Sequence, residues 1–263
     1  MRRRITLQTC LARNVLTLSL FATVASGRAE WKVASAESEL GRGGIEHRHL
    51  VVEDAAAGDH ADLDVAIFSA QSCVLRVIDN PEGESLSAMM KRERCASGVN
   101  GGYFDTEFKA IGLRTNEGRT FSPLRRARLI TAVLLQSSPG IDVIRAGQIS
   151  HIKKIAAAIQ AGPFLVEGSK PIHGLNDSLL ARRTFVGIAS DDRVLLGVCS
   201  AVSLAELAKI LAAPPVAADY KIRRAMNLDG GSSSAFWFAR EDGSAFSIPS
   251  QKPVRDFVGV VAK

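Results

Sequence analysis

Two short segments set polar side chains directly against glycines: Asn100-Gly101-Gly102-Tyr103-Phe104-Asp105, and Asn227-Leu228-Asp229-Gly230-Gly231-Ser232-Ser233-Ser234. Glycine lets the main chain approach a ligand closely, and successive exposed N–H groups form a concavity that can hold an anion. The neighbouring Asn, Asp and Ser side chains add directional donors and acceptors. A third segment, Arg182-Arg183-Thr184, places two guanidinium forks at the entrance of an apolar run. Such forks match phosphate oxygens two at a time. A fourth, Gln160-Ala161-Gly162-Pro163, brings an amide and a glycine to a break between apolar runs. Together they would suit an anionic, oxygen-rich ligand held beside a carboxylate. Each also has a plainer reading, since NGG and DGG are hairpin-turn signatures and arginines commonly blunt sheet edges.

The elements that must position these residues are mostly short strands divided by turn signals. Leu63 to Ser69 and Cys73 to Ile78 read as paired strands, and Ser85 to Arg94 as a short helix. Ile111 to Thr115 and Arg119 to Phe121 flank Asn116-Glu117-Gly118, a hairpin signature. Leu129 to Gln136, Ile141 to Arg145 and Ile149 to Ile152 continue the meander. Phe185 to Ala189 and Val194 to Cys199 alternate around Asp191-Asp192, a further hairpin. Helical spacing is clearest at Leu204, Leu207, Ala208 and Leu211, opened by the capping box Ser203-x-x-Glu206 and closed by Pro214-Pro215. Ala225 to Leu228, Ala235 to Ala239 and Phe257 to Val261 complete the set. The expectation is an α+β chain with a strand-rich mixed sheet, few helices and a single domain. Residues 1–29 form a signal peptide, 30–62 a polar lead-in and 63–263 the domain.

The chain has 263 residues, 46% hydrophobic and 23% charged, a composition that excludes disorder, collagen and coiled coil. Neither GxGxxG nor GxxxxGK[ST] occurs, so no nucleotide-binding sheet is indicated. The net charge is +6, but five of the 33 Lys and Arg precede Glu30, the first of the 27 acidic residues, so the remainder carries +1. Bulk charge therefore supports no polyanion-binding face and no nucleic-acid partner, although a local basic cluster is still allowed. The arginine-flanked run Val15 to Ala25 is too short to span a bilayer and reads as an export signal cut near Ala29, which implies a periplasmic or secreted protein without a membrane span after signal removal. Cys10 would leave with it. Of Cys73, Cys95 and Cys199, the first two close the shortest loop and are expected to be bridged, with three buried thiols as the alternative. His47 and His49 alternate on a strand and read as two exposed imidazoles.

In motif order over roughly residues 60 to 262, the chain resembles the phosphodiester glycosidase family, which includes the lysosomal uncovering enzyme (N-acetylglucosamine-1-phosphodiester alpha-N-acetylglucosaminidase) and bacterial exopolysaccharide-related members. The resemblance is carried by NGGYFD at Asn100, QAGPFLVEG at Gln160, RRTFVGI at Arg182, SLAELAKIL at Ser203 and, most specifically, NLDGGSSS at Asn227. It implies hydrolysis of a sugar-1-phosphodiester at the anomeric carbon, giving a free sugar and a phosphomonoester, on an envelope or extracellular glycan. For that chemistry Arg183 suits a phosphate clamp, helped by Arg182 and by N–H groups of Gly101, Gly102, Gly230 and Gly231. Asp229 and Asp105 are the carboxylates that could meet a developing oxocarbenium ion. Asn100 and Asn227 are expected to hold sugar hydroxyls, Thr184 or Ser232 a phosphate oxygen, and Gln160 and Gly162 count among the substrate-binding residues.

Two other classes compete. A serine hydrolase would pair Ser232, Ser233 or Ser234 with His151 or His173, but no G-x-S-x-G surrounds those serines. A non-catalytic polysaccharide-binding module would use the same turns only to grip sugar, although two Trp and two Tyr leave little for a stacking platform. No cofactor is required by the chemistry. A divalent cation such as calcium could unite Asp105 and Asp229 through oxygen ligands, without any EF-type spacing to support it.

Overall fold

The protein is described by a computed structural model over residues 31–138, 140–213 and 220–263. The signal-peptide expectation falls outside these residues. The chain opens with β1 (Trp31–Leu40), β2 (Glu46–Asp54), β3 (Asp59–Ser69) and β4 (Cys73–Asp79), followed by helix α1 (Leu86–Arg92). Five strands come next: β5 (Ser97–Asn100), β6 (Arg114–Asn116), β7 (Arg119–Ser122), β8 (Ala132–Ser137) and β9 (Gly140–Arg145). A single-turn helix at Ala146–His151 precedes β10 (Ala157–Ala161), β11 (Phe164–Glu167), β12 (Lys170–Pro171), β13 (Ala181–Ala189) and β14 (Arg193–Val202). Helix α2 (Leu204–Ala212), β15 (Ile222–Asn227), β16 (Phe236–Ala239), β17 (Ala245–Ile248) and β18 (Asp256–Ala262) complete it.

The strands form three sheets, ordered β1-β2-β3-β14-β13-β15-β11-β12, β7-β6-β10-β8-β9 and β17-β16-β5-β18-β4. The fold is strand-rich with few helices in one domain, as expected. What the sequence suggested as a mixed sheet resolves into three sheets whose strand pairs are all antiparallel among the described residues. The eight-stranded sheet is central, and its period-two alternation serves both faces. Ala66, Phe68, Val186, Ile188 and Leu196 point into a core shared with the two smaller sheets. Val65, Ile67, Phe185 and Leu195 face the other way, into a second core that also takes Leu207, Ile210 and Leu211 of α2. That helix starts as the sequence predicts: Ser203 Oγ accepts from Glu206 N at 3.1 Å, and Glu206 Oε2 accepts from Ser203 N at 2.7 Å. At the β13–β14 turn Asp191 and Asp192 both take left-handed φ, 57° and 56°.

Three local expectations change. The lead-in is not separate from the domain: residues 31–54 are a hairpin that pairs through β2 onto β3. Its alternation was masked by the exposed residues of β1, an edge strand. Within it His47 is buried, its two ring nitrogens each 3.0 Å from a carboxylate, Glu39 and Asp64, with Phe236, Phe238 and Phe246 around the ring. Ile149 to His151 belong to the helix at Ala146–His151 rather than to a strand, and Ile152 caps it. The Cys73–Cys95 bridge is absent, and all three cysteines are free and buried. The reason is topological, since β18 lies between β4 and β5. Two strand spacings amount to about 9.5 Å, more than the roughly 7 Å a disulfide can bridge between Cα atoms.

Candidate active site

The four segments singled out in the sequence meet at the ends of β5, β10, β13 and β15. The junction is built on side chains that the core consumes completely. Asn100, wholly buried at the end of β5, accepts from Thr184 Oγ1 at 2.7 Å and from Ala235 N at 3.0 Å, and donates to Asp229 O at 2.7 Å. One amide therefore ties β5, β13, the loop after β15 and the start of β16. Asp256 and Arg114 form an ion pair at 2.9 Å with both side chains fully buried. Asp256 also accepts from Gly101 N through its carbonyl at 2.8 Å and from Gly102 N through Oδ1 at 2.9 Å. A Cβ on Gly101 would lie 1.9 Å from Asp256 Oδ1, and one on Gly102 2.3 Å from Arg114 Nη2. The two glycines admit this ion pair, and their N–H groups are spent on it.

Against this scaffold sit Tyr103, Asn227, Asp229 and Arg183. The Tyr103 hydroxyl donates to Gly162 O at 2.6 Å and accepts from Asn227 Nδ2 at 3.1 Å. Burial pushes the phenol up to about 12; Asp229 adds to the rise, and Arg183 opposes it. Asp229 Oδ1 accepts from Gly230 N at 2.9 Å. Burial raises its carboxyl above the ordinary value of 3.8, Asp256 adds to the shift, and the Ser233 hydroxyl, Lys252 and the Gly230 N–H oppose it. Arg183 packs its stem beside the same turn, Cδ lying 3.9 Å from where a Gly230 Cβ would stand. Its guanidinium donates to Val202 O at 2.9 Å and Leu179 O at 2.5 Å, and no carboxylate pairs with it among the described residues. Burial draws its pKa below the usual arginine value. A buried cation satisfied only by carbonyls retains its attraction for an anion. Two further polar atoms are buried here without partners, Asn227 Oδ1 and Ser234 Oγ.

A family model described as phosphodiester glycosidase matches residues 93–261, more than half of the sequence. The chain belongs to the phosphodiester glycosidase family. No curated protein matches it. Among solved structures, the zebrafish N-acetylglucosamine-1-phosphodiester alpha-N-acetylglucosaminidase catalytic domain, auto-inhibited by its pro-peptide, is similar with a TM-score of 0.58 at 16% identity, over 91% of this chain and 85% of that one. A hypothetical protein from Synechocystis gives a TM-score of 0.58 at 14% identity, over 83% of this chain. This chain spans 62% of the Synechocystis protein's length. At these identities the likeness is one of fold.

Within this phosphodiester glycosidase domain the site residues expected from sequence divide into two groups. Asn227 and Gly162 bond to the Tyr103 hydroxyl, and Asp229 and Arg183 flank Gly230, with Gly231 and Ser232 in the same half-buried turn and Arg182 tied to Ser234 O at 3.1 Å. The others bond within the protein. Asn100 accepts from the Thr184 hydroxyl, and the N–H groups of Gly101 and Gly102 are taken up by Asp256. Gln160 uses its whole amide on Leu113 N, Arg125 N, Arg125 O and Ile130 O. Asp105 is exposed and its carboxylate organises its own loop, accepting from Glu107 N at 3.0 Å and Lys109 N at 2.8 Å. With Asp105 so engaged, the calcium option gains no support, and among the described residues no group of three or more His, Cys, Asp or Glu is arranged to hold a metal ion. Neither His151 nor His173 bonds to the serines. Sequence reasoning passed over Tyr103, Arg114 and Asp256. An acidic residue opening the apolar run FVGVV was the available signal for the last.

Proposed function

We propose that the chain hydrolyses the C1–O bond of a sugar-1-phosphodiester. The observation that carries this reading is that Asp229 and Arg183 flank one glycine: Asp229 Oδ1 accepts from Gly230 N at 2.9 Å, and Arg183 Cδ lies 3.9 Å from where a Gly230 Cβ would stand. Arg183 would draw the phosphodiester oxygens and stabilise the negative charge gathering on the leaving phosphate. As the C1–O bond breaks, its electron pair passes to the phosphate oxygen and positive charge builds at the ring. Asp229 meets that charge and takes the proton of the water that adds to C1. The products are a free sugar and a phosphomonoester. Asn227 Oδ1, buried and unpartnered, is an acceptor ready for a sugar hydroxyl.

The substrate is placed on an envelope or extracellular glycan, and the protein in the periplasm or outside the cell, on the strength of the arginine-flanked apolar run near the start of the sequence. Purified protein is to be assayed against sugar-1-phosphodiesters, with simple glycosides and sugar-free phosphodiesters as controls. Release of free sugar from the first group alone is the expected result. Equal turnover of sugar-free phosphodiesters, or binding of glycan without any turnover, would overturn the reading.

A further inference from the structure

A second feature lies across Gly162 from the catalytic cluster. The carbonyl of Gly162 accepts from Tyr103, while a Cβ on the same residue would lie 2.5 Å from Leu129 O and 2.9 Å from Thr131 N. The segment on that far side is Ser-Pro-Leu-Arg-Arg-Ala-Arg-Leu, residues 122–129. It borders an open cleft of about 620 Å³ that contains no acidic residue among its lining and is walled by Leu124, Arg125, Arg126, Ile130, Arg145 and Gln148. Arg125, Arg126 and Arg128 are exposed, and none of the three has a carboxylate partner among the described residues. Arg145 is different, because Glu167 holds it at 2.5 Å and neutralises it.

This basic segment is irregular, yet it is fixed. Gln160, wholly buried in β10, accepts from Arg125 N at 3.0 Å and donates to Arg125 O at 2.6 Å and Ile130 O at 2.9 Å. A buried amide therefore staples both ends of the arginine loop to the sheet. Three like charges held close together and uncompensated repel one another, and a fixed backbone keeps them from moving apart. Such an arrangement gains most from a ligand carrying repeated negative charge. The recess favours a chain that can lie in it over a flat membrane surface, and Leu124, 41% exposed, offers an apolar contact to sugar C–H faces.

We infer that the cleft lined by Arg125 and Arg126, with Arg128 exposed on the same segment at its border, is a binding site for a glycan chain bearing repeated anionic groups, which holds the substrate polymer beside the catalytic cluster. The polymer's role as substrate rests on the proposed glycosidase activity; the binding itself does not.

The test uses the full mature protein and R125A/R126A/R128A, with dextran sulfate as the anionic glycan probe, neutral dextran as control and phosphatidylglycerol vesicles as the membrane probe. Circular dichroism and melting should be unchanged, since all three side chains are exposed. Wild type should bind dextran sulfate and not neutral dextran, and the triple variant should bind about tenfold or more weakly, with a shallower salt dependence. On a monomeric sugar-1-phosphodiester the variant should turn over as wild type does. Dextran sulfate affinity within twofold of wild type in the triple variant would overturn the inference, as would wild-type binding to vesicles without binding to dextran sulfate. Absence of monomer turnover in wild type would reject the proposed activity while leaving the binding result to decide the cleft.

Discussion

Arg114 and Asp256, 142 positions apart in sequence, meet at 2.9 Å with no side-chain exposure on either partner. Arg114 also donates to the carbonyls of Ile111, Leu113, Gln160 and Tyr103, so a single guanidinium gathers β6, β10 and the glycine turn onto the start of β18. Breaking a buried pair by deleting one charge leaves the other uncompensated and costs about 3–5 kcal/mol. Asp256→Ala should therefore lower the denaturation midpoint in urea by that equivalent and abolish turnover together. Arg114→Met in the Asp256→Ala background should cost less than the sum of the single changes, as a double-mutant cycle would show.

Asp229→Asn should behave in the opposite sense. In the folded protein the carboxyl is raised above 3.8, mainly by burial, so folding favours its protonated form. Between the unfolded value and the raised folded one, the native state binds more protons than the unfolded state, and stability from this group falls as pH rises through that window. An isosteric amide carries no such cost. The variant should lose turnover through kcat while being more stable than wild type at neutral pH, with the difference vanishing below the unfolded aspartate value. Parallel urea titrations at pH 3 and pH 7 check this. Wild-type turnover should rise with pH as Asp229 ionises, along a limb displaced above the ordinary aspartate range.

The elements legible in the sequence were those whose signals are local. The capping box of α2, the Asp191-Asp192 turn and the alternation of β13 and β14 each lie within a few residues. The β1–β2 hairpin was not legible because β1 is an exposed edge whose polar residues hide the period. In the site, residue types pointed to Asp229 and Arg183 but could not separate ligand-facing groups from consumed ones. Asn100 looks the same in sequence whether its amide meets a sugar or Thr184, and Thr184 is 84 positions away. Spent glycine N–H groups likewise depend on Asp256, far along the chain.

The cysteines give a chemical check on the topology. Burial pushes the thiols of Cys73, Cys95 and Cys199 upward, Cys95 to about 12, so the nucleophilic thiolate is scarce in the native state. Cys95 Sγ lies 2.6 Å from where a Gly259 Cβ would be, which places β18 against it. Native protein should resist alkylation at neutral pH, and unfolding without reductant should expose all three thiols at once. Peptide mapping under non-reducing conditions should recover each as a single alkylated peptide, and a peptide joining Cys73 to Cys95 would contradict the strand order.

Arg183 separates a phosphate clamp from a structural arginine. Its bonds to Leu179 O and Val202 O anchor the loop before β13 to the end of β14, so Arg183→Ala removes a tether as well as a charge. Arg183→Lys keeps the charge but loses the planar fork, and it distinguishes the two roles. If the guanidinium binds phosphate, both variants should lower kcat/KM for sugar-1-phosphodiesters, alanine by about 100-fold or more. Their activity on aryl glycosides with uncharged leaving groups should change little, because no phosphate is present to be clamped. A purely structural arginine would instead depress both substrate classes equally and lower the melting temperature in proportion. Inorganic phosphate supplies an independent readout: it should compete with the phosphodiester in wild type and lose that competition in Arg183→Ala.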